Sequence, residues 1–254
     1  MDSYRNLNGK FGIITGAASG IGRSTALQLA CEGAALALAD LMEDKLQTVA
    51  REISASGAPS PLAIKTDVAS EAEVDRMVSI ALEAFHRIDF LITSAGIVRR
   101  TAFQDLGPSE WDLVMAVNLR GPYLCCRAVA PTMIEQRSGV IVNVASLAGR
   151  STSLLGGAHY TASKHGVIGL SRHIARELGP YGIRVNAFCP GGTLTPMVEN
   201  TTPPDEREAN AARWPLRRWA GPEEQARVIS FLISDESSFI TGASIDSNGG
   251  ALML

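Results

Sequence analysis

Short apolar runs alternate with longer amphipathic stretches along nearly the whole chain. Alternation of this kind is the mark of βαβ units built around a parallel sheet. The apolar runs, of which Phe11-Gly12-Ile13-Ile14 is the first, predict strands near 10–15, 34–39, 61–66, 89–93, 138–145, 183–188 and 243–247. Between them apolar residues recur at three- and four-residue spacing, which predicts helices near 20–32, 42–56, 70–87, 109–136, 159–179 and 221–234. Asp40, Ser70, Ser109 and Gly221 stand where helix starts are expected, and Pro222 falls just inside the last helix.

No repeat and no low-complexity linker interrupts the pattern, so residues 1–254 are expected to form one domain. The segment 191–220 departs from the alternation; rich in Pro, Thr, Arg and Trp, it reads as one irregular insertion, a candidate lid over a substrate. The 254 residues are 46% hydrophobic and 19% charged, a globular balance, and the formal net charge of -3 comes without basic clusters. Nucleic acid is therefore not an expected partner. No apolar stretch approaches a membrane span, and the polar first nine residues lack a signal-peptide core, so a cytoplasmic location is expected. The four cysteines, at 31, 125, 126 and 189, form no C-x-x-C pair and lie in apolar-periodic segments, where they are expected to be buried thiols. Neither they nor His86, His159, His165 and His173 suggest a metal site.

The chemistry begins at TGAASGIG, residues 15–22, in the turn between the first strand and the first helix. The glycine spacing fits neither a Walker loop nor the usual G-x-G-x-x-G fingerprint. A glycine-rich turn at a helix N-terminus can nonetheless cradle a pyrophosphate on unpaired N–H groups, although many such turns are merely tight connections. Asp40, at the end of the second strand, can accept hydrogen bonds from ribose hydroxyls and repel a 2′-phosphate, which argues for NAD over NADP; it could also cap the next helix.

Tyr160 and Lys164 are four residues apart in a helical pattern and so can face one site. Lowering a phenol by about three pKa units takes about 4 kcal/mol, roughly what an ammonium about 4 Å away supplies at an effective dielectric of 20. Ser146 ends the strand GVIVNVAS, at the sheet edge where α/β folds bind ligands, and its hydroxyl could donate to a reacting oxygen. Asn118, polar amid apolar neighbours, reads on its own as a helix-packing group.

Together these residues resemble the short-chain dehydrogenase/reductase family in its compact branch of about 250 residues. The resemblance runs through TGAASGIG, Asp67-Val68, SAG at 94–96, Asn118, Ser146, YTASK at 160–164, PGGTLT at 190–195 and SNGG at 247–250. It implies a single-domain, Rossmann-like, doubly wound parallel sheet with helices on both faces. It also implies Tyr160 as acid/base, Lys164 lowering its pKa and holding the nicotinamide ribose, Ser146 orienting the substrate oxygen, and Asn118 holding a helix kink and a water. Gly16, Ser19, Gly20, Ile21, Gly22 and Asp40 would bind the cofactor, with Asp67 and Val68 at the adenine and Ser94, Ala95 and Gly96 near the ribose. Pro190, Gly191, Thr193 and Thr195 would hold its nicotinamide end. Three departures stand out: Ser94 in place of the family's Asn, Thr193 at an apolar place, and Arg217 and Ala220 where glycine is common.

The expected function is an NAD(H)-dependent exchange between a secondary alcohol and its ketone. The alternatives are an NADPH-dependent 3-oxoacyl-thioester reductase and, in another class, a nucleotide-sensing protein without catalysis. Leu154, Leu155, Met197, Val198 and Trp214 would wall the substrate pocket. Arg99, Arg100, Arg150, Arg213 and Arg217 raise an anionic substrate, but solvated surface arginines are the preferred reading. His159 is expected to be a bystander. The apolar tail Ala251-Leu252-Met253-Leu254 is expected to pack in a subunit interface, in a homotetramer.

Overall fold

Adjacent residues of a strand point to opposite faces of its sheet, so a strand that is apolar throughout must be covered on both sides. The computed structural model, which describes residues 6–253, meets that requirement. Its seven strands are β1 (Phe11–Thr15), β2 (Ala35–Asp40), β3 (Leu62–Lys65), β4 (Phe90–Thr93), β5 (Gly139–Val144), β6 (Ile183–Pro190) and β7 (Ser244–Ser247). They pair in parallel in the order β3-β2-β1-β4-β5-β6-β7. The helices are α1 (Gly20–Cys31), α2 (Glu43–Ala55), α3 (Glu71–Phe85), α4 (Pro108–Met115), α5 (Gly121–Gln136), α6 (Ala158–Leu178), α7 (Pro196–Thr201), α8 (Pro204–Arg213) and α9 (Pro222–Ile233).

Ile14 of β1, with Leu36, Leu38 and Phe188, joins a core with Leu29 of α1, Leu46 of α2 and Ile229 of α9. Its neighbour Ile13 joins the opposite core, with Leu91, Ile141, Met77 of α3, Val129 of α5 and Leu178 of α6. The strand order reverses between β1 and β4, which opens a crevice at their carboxyl ends, the usual ligand site of a doubly wound sheet. At that seam Gly16 has a φ of 69°, and a Cβ on it would lie 2.6 Å from the Ala95 nitrogen. A Cβ on Gly22 would lie 2.1 Å from the Gly16 carbonyl oxygen. Both glycines are needed because backbone passes backbone there.

Ser70 caps α3 by accepting from the Glu73 N–H at 3.4 Å, and Gly221 precedes α9, with Glu224 accepting from its N–H at 2.9 Å. Four expectations need correction. Asp40 does not occupy the cap of α2, which falls at Met42; its carboxylate instead accepts from the Met42 N–H at 2.9 Å. Ser109 does not start its helix either, because Pro108 has no N–H to leave unpaired and suits the first helical position, which puts the cap at Gly107. The helix predicted over 109–136 is interrupted by a π turn at Ala116–Arg120, since Pro122 cannot donate to the Asn118 carbonyl one turn before it. The segment 191–220 is not irregular: it holds α7 and α8, each opened by a proline, Pro196 and Pro204, which suits a first helical position. A bridge between Thr193 and Ala220 closes its base.

Cys125, Cys126 and Cys189 are buried as expected, whereas Cys31 is exposed because it ends α1 on the side away from the sheet. Of the expected interface tail, Leu254 lies outside the described residues; Met253 is exposed, as is Phe239. Among the described residues no helix is long and apolar enough to cross a membrane, and no group of side chains is arranged to hold a metal ion.

Candidate active site

The crevice at the carboxyl ends of the strands is a cavity of about 460 Å³, a size suited to small molecules. Every site residue proposed from the sequence lines it except Gly22 and Asn118, which stand behind the wall. On its floor α1 opens with Ser19 at the cap, and no side chain pairs with the first N–H groups of the helix. No acidic residue occupies its first turn, so the N-terminus is free to meet an anion. Gly20, at a φ of 54°, brings this turn opposite Thr195: a Cβ there would sit 3.3 Å from the threonine methyl. The free N–H groups of this turn fit a pyrophosphate, with Thr195 at the edge of the same site.

Asp40 at the tip of β2 accepts from the Ala18 N–H at 3.0 Å through Oδ2, so its carboxylate is tied to the glycine loop while still lining the cavity. The neighbouring rim is made by Leu41, Met42, Asp67 and Val68, with no basic side chain. Arg23, the basic residue that follows the glycine turn, is engaged with Glu52 at 2.6 Å. These residues fit an adenosine half without a 2′-phosphate. Asp67 is itself fixed by the Ala69 N–H on its Oδ1 at 2.9 Å. Where the family's Asn is replaced by Ser94, the backbone is held by β1: the Ser94 N–H donates to the Thr15 carbonyl at 3.2 Å, and the Ala95 N–H to Thr15 Oγ1 at 3.4 Å.

Tyr160 and Lys164 lie one turn apart on α6 and both face the cavity across from Ser146 at the end of β5. Lys164 Nζ donates to the Val144 carbonyl at 2.8 Å and lies 5.8 Å from the centre of the Tyr160 ring. Burial pulls the Lys164 ammonium down to about 8. Burial likewise raises the Tyr160 phenol, opposed by a hydrogen bond with Ser146. In the protein alone the direction is therefore opposite to the depression expected from charge proximity, with burial its largest cause.

Asn118 is fully buried in the π turn and grips the Ile97 peptide, accepting from its N–H at 2.8 Å and donating to its carbonyl at 2.9 Å. A second donation reaches Ser163 Oγ at 3.3 Å, joining the loop after β4 to the catalytic face of α6. His159, beside Tyr160, is turned off the cavity toward Glu110, Nε2 to Oε1 at 3.0 Å. Thr193 carries a hydroxyl at the family's apolar position, and that hydroxyl is occupied: it donates to the Gly191 carbonyl at 3.1 Å and accepts from Gln225 at 3.1 Å. Gln225 had no signal in the sequence beyond being polar on a buried helix face.

Above the reacting groups, Leu154, Leu155, Met197, Val198 and Trp214 line the cavity as expected. Trp219 and Asn210, which the sequence did not single out by name, also line it. The two tryptophans meet edge to face, ring centres 4.8 Å apart, and Gly192 makes room for Trp214, whose ring a Cβ would meet at 2.0 Å. None of the five arginines considered for an anionic substrate lines the cavity. Arg100 instead bonds Glu206 at 2.7 Å, Arg150 bonds Asp246 at 3.2 Å, and Arg217 sits at a φ of 50°, a conformation glycine would adopt without strain.

The chain matches the family model described as Enoyl-(Acyl carrier protein) reductase over residues 16–251. It is 41% identical to the 3-oxoacyl-[acyl-carrier-protein] reductase FabG of Thermotoga maritima, over 97% of this chain and 99% of that one. Among solved structures it resembles levodione reductase, with a TM-score of 0.91 and 37% identity over 96% of this chain and 97% of that one. It also resembles a 3-oxoacyl-[acyl-carrier protein] reductase with bound NAD from Brucella melitensis, with a TM-score of 0.87 and 34% identity over 99% and 93%. The chain belongs to the short-chain dehydrogenase/reductase family. It is an oxidoreductase of CH–OH and keto groups using NAD(P), which sets aside the non-catalytic alternative.

Replacing Asn118 by Leu would leave both polar groups of the Ile97 peptide without their partner. A cost of about 2–4 kcal/mol is expected, read as a fall in Tm of about 5–12 °C; an unchanged Tm would contradict the clamp.

Proposed function

We propose that the protein interconverts a neutral secondary alcohol and its ketone with NAD(H), Tyr160 exchanging the proton with the substrate oxygen. The observation that carries this reading is the juxtaposition in one cavity of Tyr160, Lys164 and Ser146 with an apolar, cation-free substrate wall and Asp40 at the cofactor end. The glycine turn, Asp40, Lys164 and the 190–195 loop would hold the nicotinamide cofactor, which would supply or receive the hydride. In reduction, Ser146 Oγ donates to the carbonyl oxygen and orients it, while the Tyr160 hydroxyl gives up its proton as the carbonyl carbon becomes CH–OH. In oxidation the same phenol, as phenolate, takes the alcohol proton, and the Lys164 ammonium stabilises that anion. Asp40 lies where it would repel a 2′-phosphate, which supports NAD as the cofactor.

The names of the relatives favour a second reading over the first, an NADPH-dependent reductase of 3-oxoacyl thioesters. The two share the proton chemistry and differ in the chain beyond the ketone and in the cofactor phosphate. The α7–α8 segment serves in either case as the lid. The exposed Phe239 and Met253 support the homotetramer reading, in which they would be covered.

Steady-state assays of alicyclic and short-chain ketones and of 3-oxoacyl thioesters, each with NADH and NADPH, separate the readings. Ketone reduction with kcat/KM about 100-fold higher for NADH is expected from charge repulsion at Asp40; thioester reduction with NADPH alone would overturn the first reading in favour of the second. Because burial raises the Tyr160 phenol, it stays protonated through neutral pH. Reduction should therefore hold a plateau across pH 6–7.5 and fall only under alkaline conditions, with oxidation rising over the same range. A reduction profile already falling below pH 7 would contradict this.

A further inference from the structure

The lid helix α8, PDEREANAAR, is strongly polar, and the residue it buries is another polar one, Asn210. Asn210 is only 7% exposed, lines the cavity, and its side-chain amide makes no hydrogen bond among the described residues. Three polar side chains near it are engaged within the protein. Thr201 Oγ1 donates to the Met197 carbonyl at 2.7 Å, Ser153 Oγ accepts the Gly156 N–H at 2.7 Å, and the Trp219 indole donates to the Arg207 carbonyl at 2.9 Å. The amide atoms are not sealed inside the protein but open to the cavity, so they are free to bond a molecule that fills it, and asparagine's poor helix propensity gives it no other reason to stand there.

Its surroundings are apolar: Met197, Val198, Trp214 and Leu154 share the wall. The reacting oxygen is already provided for at the other side by Ser146 and Tyr160, which belong to β5 and α6 rather than to the lid. An amide can donate to a carbonyl and accept from a hydroxyl, and it offers neither charge nor affinity for a carboxylate over a neutral oxygen. We infer that Asn210 recognises a second, neutral oxygen function of the substrate, a carbonyl or hydroxyl remote from the reacting carbon. The substrate class is then a diketone, a hydroxyketone or an oxo-thioester rather than a simple ketone. This inference rests on the ketone chemistry proposed above.

The test compares matched probes that differ only in the second oxygen: cyclohexanone against cyclohexane-1,4-dione, and 2-hexanone against 2,5-hexanedione, with NADH. A site built to bond an oxygen discriminates against the analogue that lacks it. The wild-type kcat/KM ratio of dione to monoketone is expected to be about 10 to 100, beyond the factor of about two that two equivalent carbonyls supply. In Asn210→Leu the ratio should collapse to about two. Asn210→Asp, which keeps the shape but removes the donor, should lose the dione preference as well, and its Tm checks that the lid still folds. A wild-type ratio near two, or a high ratio that survives Asn210→Leu, overturns the inference while the ketone reading stands. No turnover of any of the four probes by the wild type would count against the ketone reading itself.

Discussion

Lys164 donates its Nζ proton to the Val144 carbonyl across the gap between α6 and the end of β5. That bond fixes the helix carrying Tyr160 against the strand carrying Ser146, and it does so with a charge that burial penalises. The rest of the site is arranged around this constraint. Ile97, whose peptide Asn118 grips, closes the cavity on one side, and the Pro190–Thr195 segment closes it on the other. A buried ammonium with one carbonyl partner is an expensive structural device. Its retention is easier to understand as the means of steadying an anion that forms during turnover than as a contribution to stability.

The two ends of the cavity follow different physics. At the proposed cofactor end the lining is largely backbone, the free N–H groups of α1 beside Gly16 and Gly20, with the carboxylates of Asp40 and Asp67 at the rim. At the substrate end, the walls are mostly apolar side chains from the 154–155 loop and from the α7–α8 segment, with Thr201 and Asn210 the polar residues those two helices contribute. The first end is constrained by the strand seam, where added atoms collide with backbone. The second depends on side chains carried by segments outside the sheet, so it can vary without disturbing the strands. Hence the cofactor chemistry is common to the family while the relatives' names differ in substrate.

Much of this was legible in the sequence because it depends on short-range rules. The apolar runs gave seven strands, and the i, i+4 spacing put Tyr160 and Lys164 on one face. What escaped depends on context. Pro122 stops the hydrogen bond that would have continued the helix through Asn118, but a proline among apolar residues looks the same in either case. Pro196 and Pro204 open helices that composition alone marked as irregular. The sign of the Tyr160 shift could not be read from spacing, because its largest cause is burial, which spacing does not show. Asn210 had no pattern to announce it, since its meaning lies in what it fails to bond.

The account rests on Tyr160 moving the proton. Tyr160→Phe removes one hydroxyl from a residue whose ring remains in place, and nicotinamide binding followed by fluorescence titration alongside single-turnover reduction tests the claim directly. The account predicts a loss of at least about 1,000-fold in the chemical step with NADH affinity within about threefold of wild type. A variant that keeps its rate to within about tenfold would show that the proton travels by another group, and would contradict it.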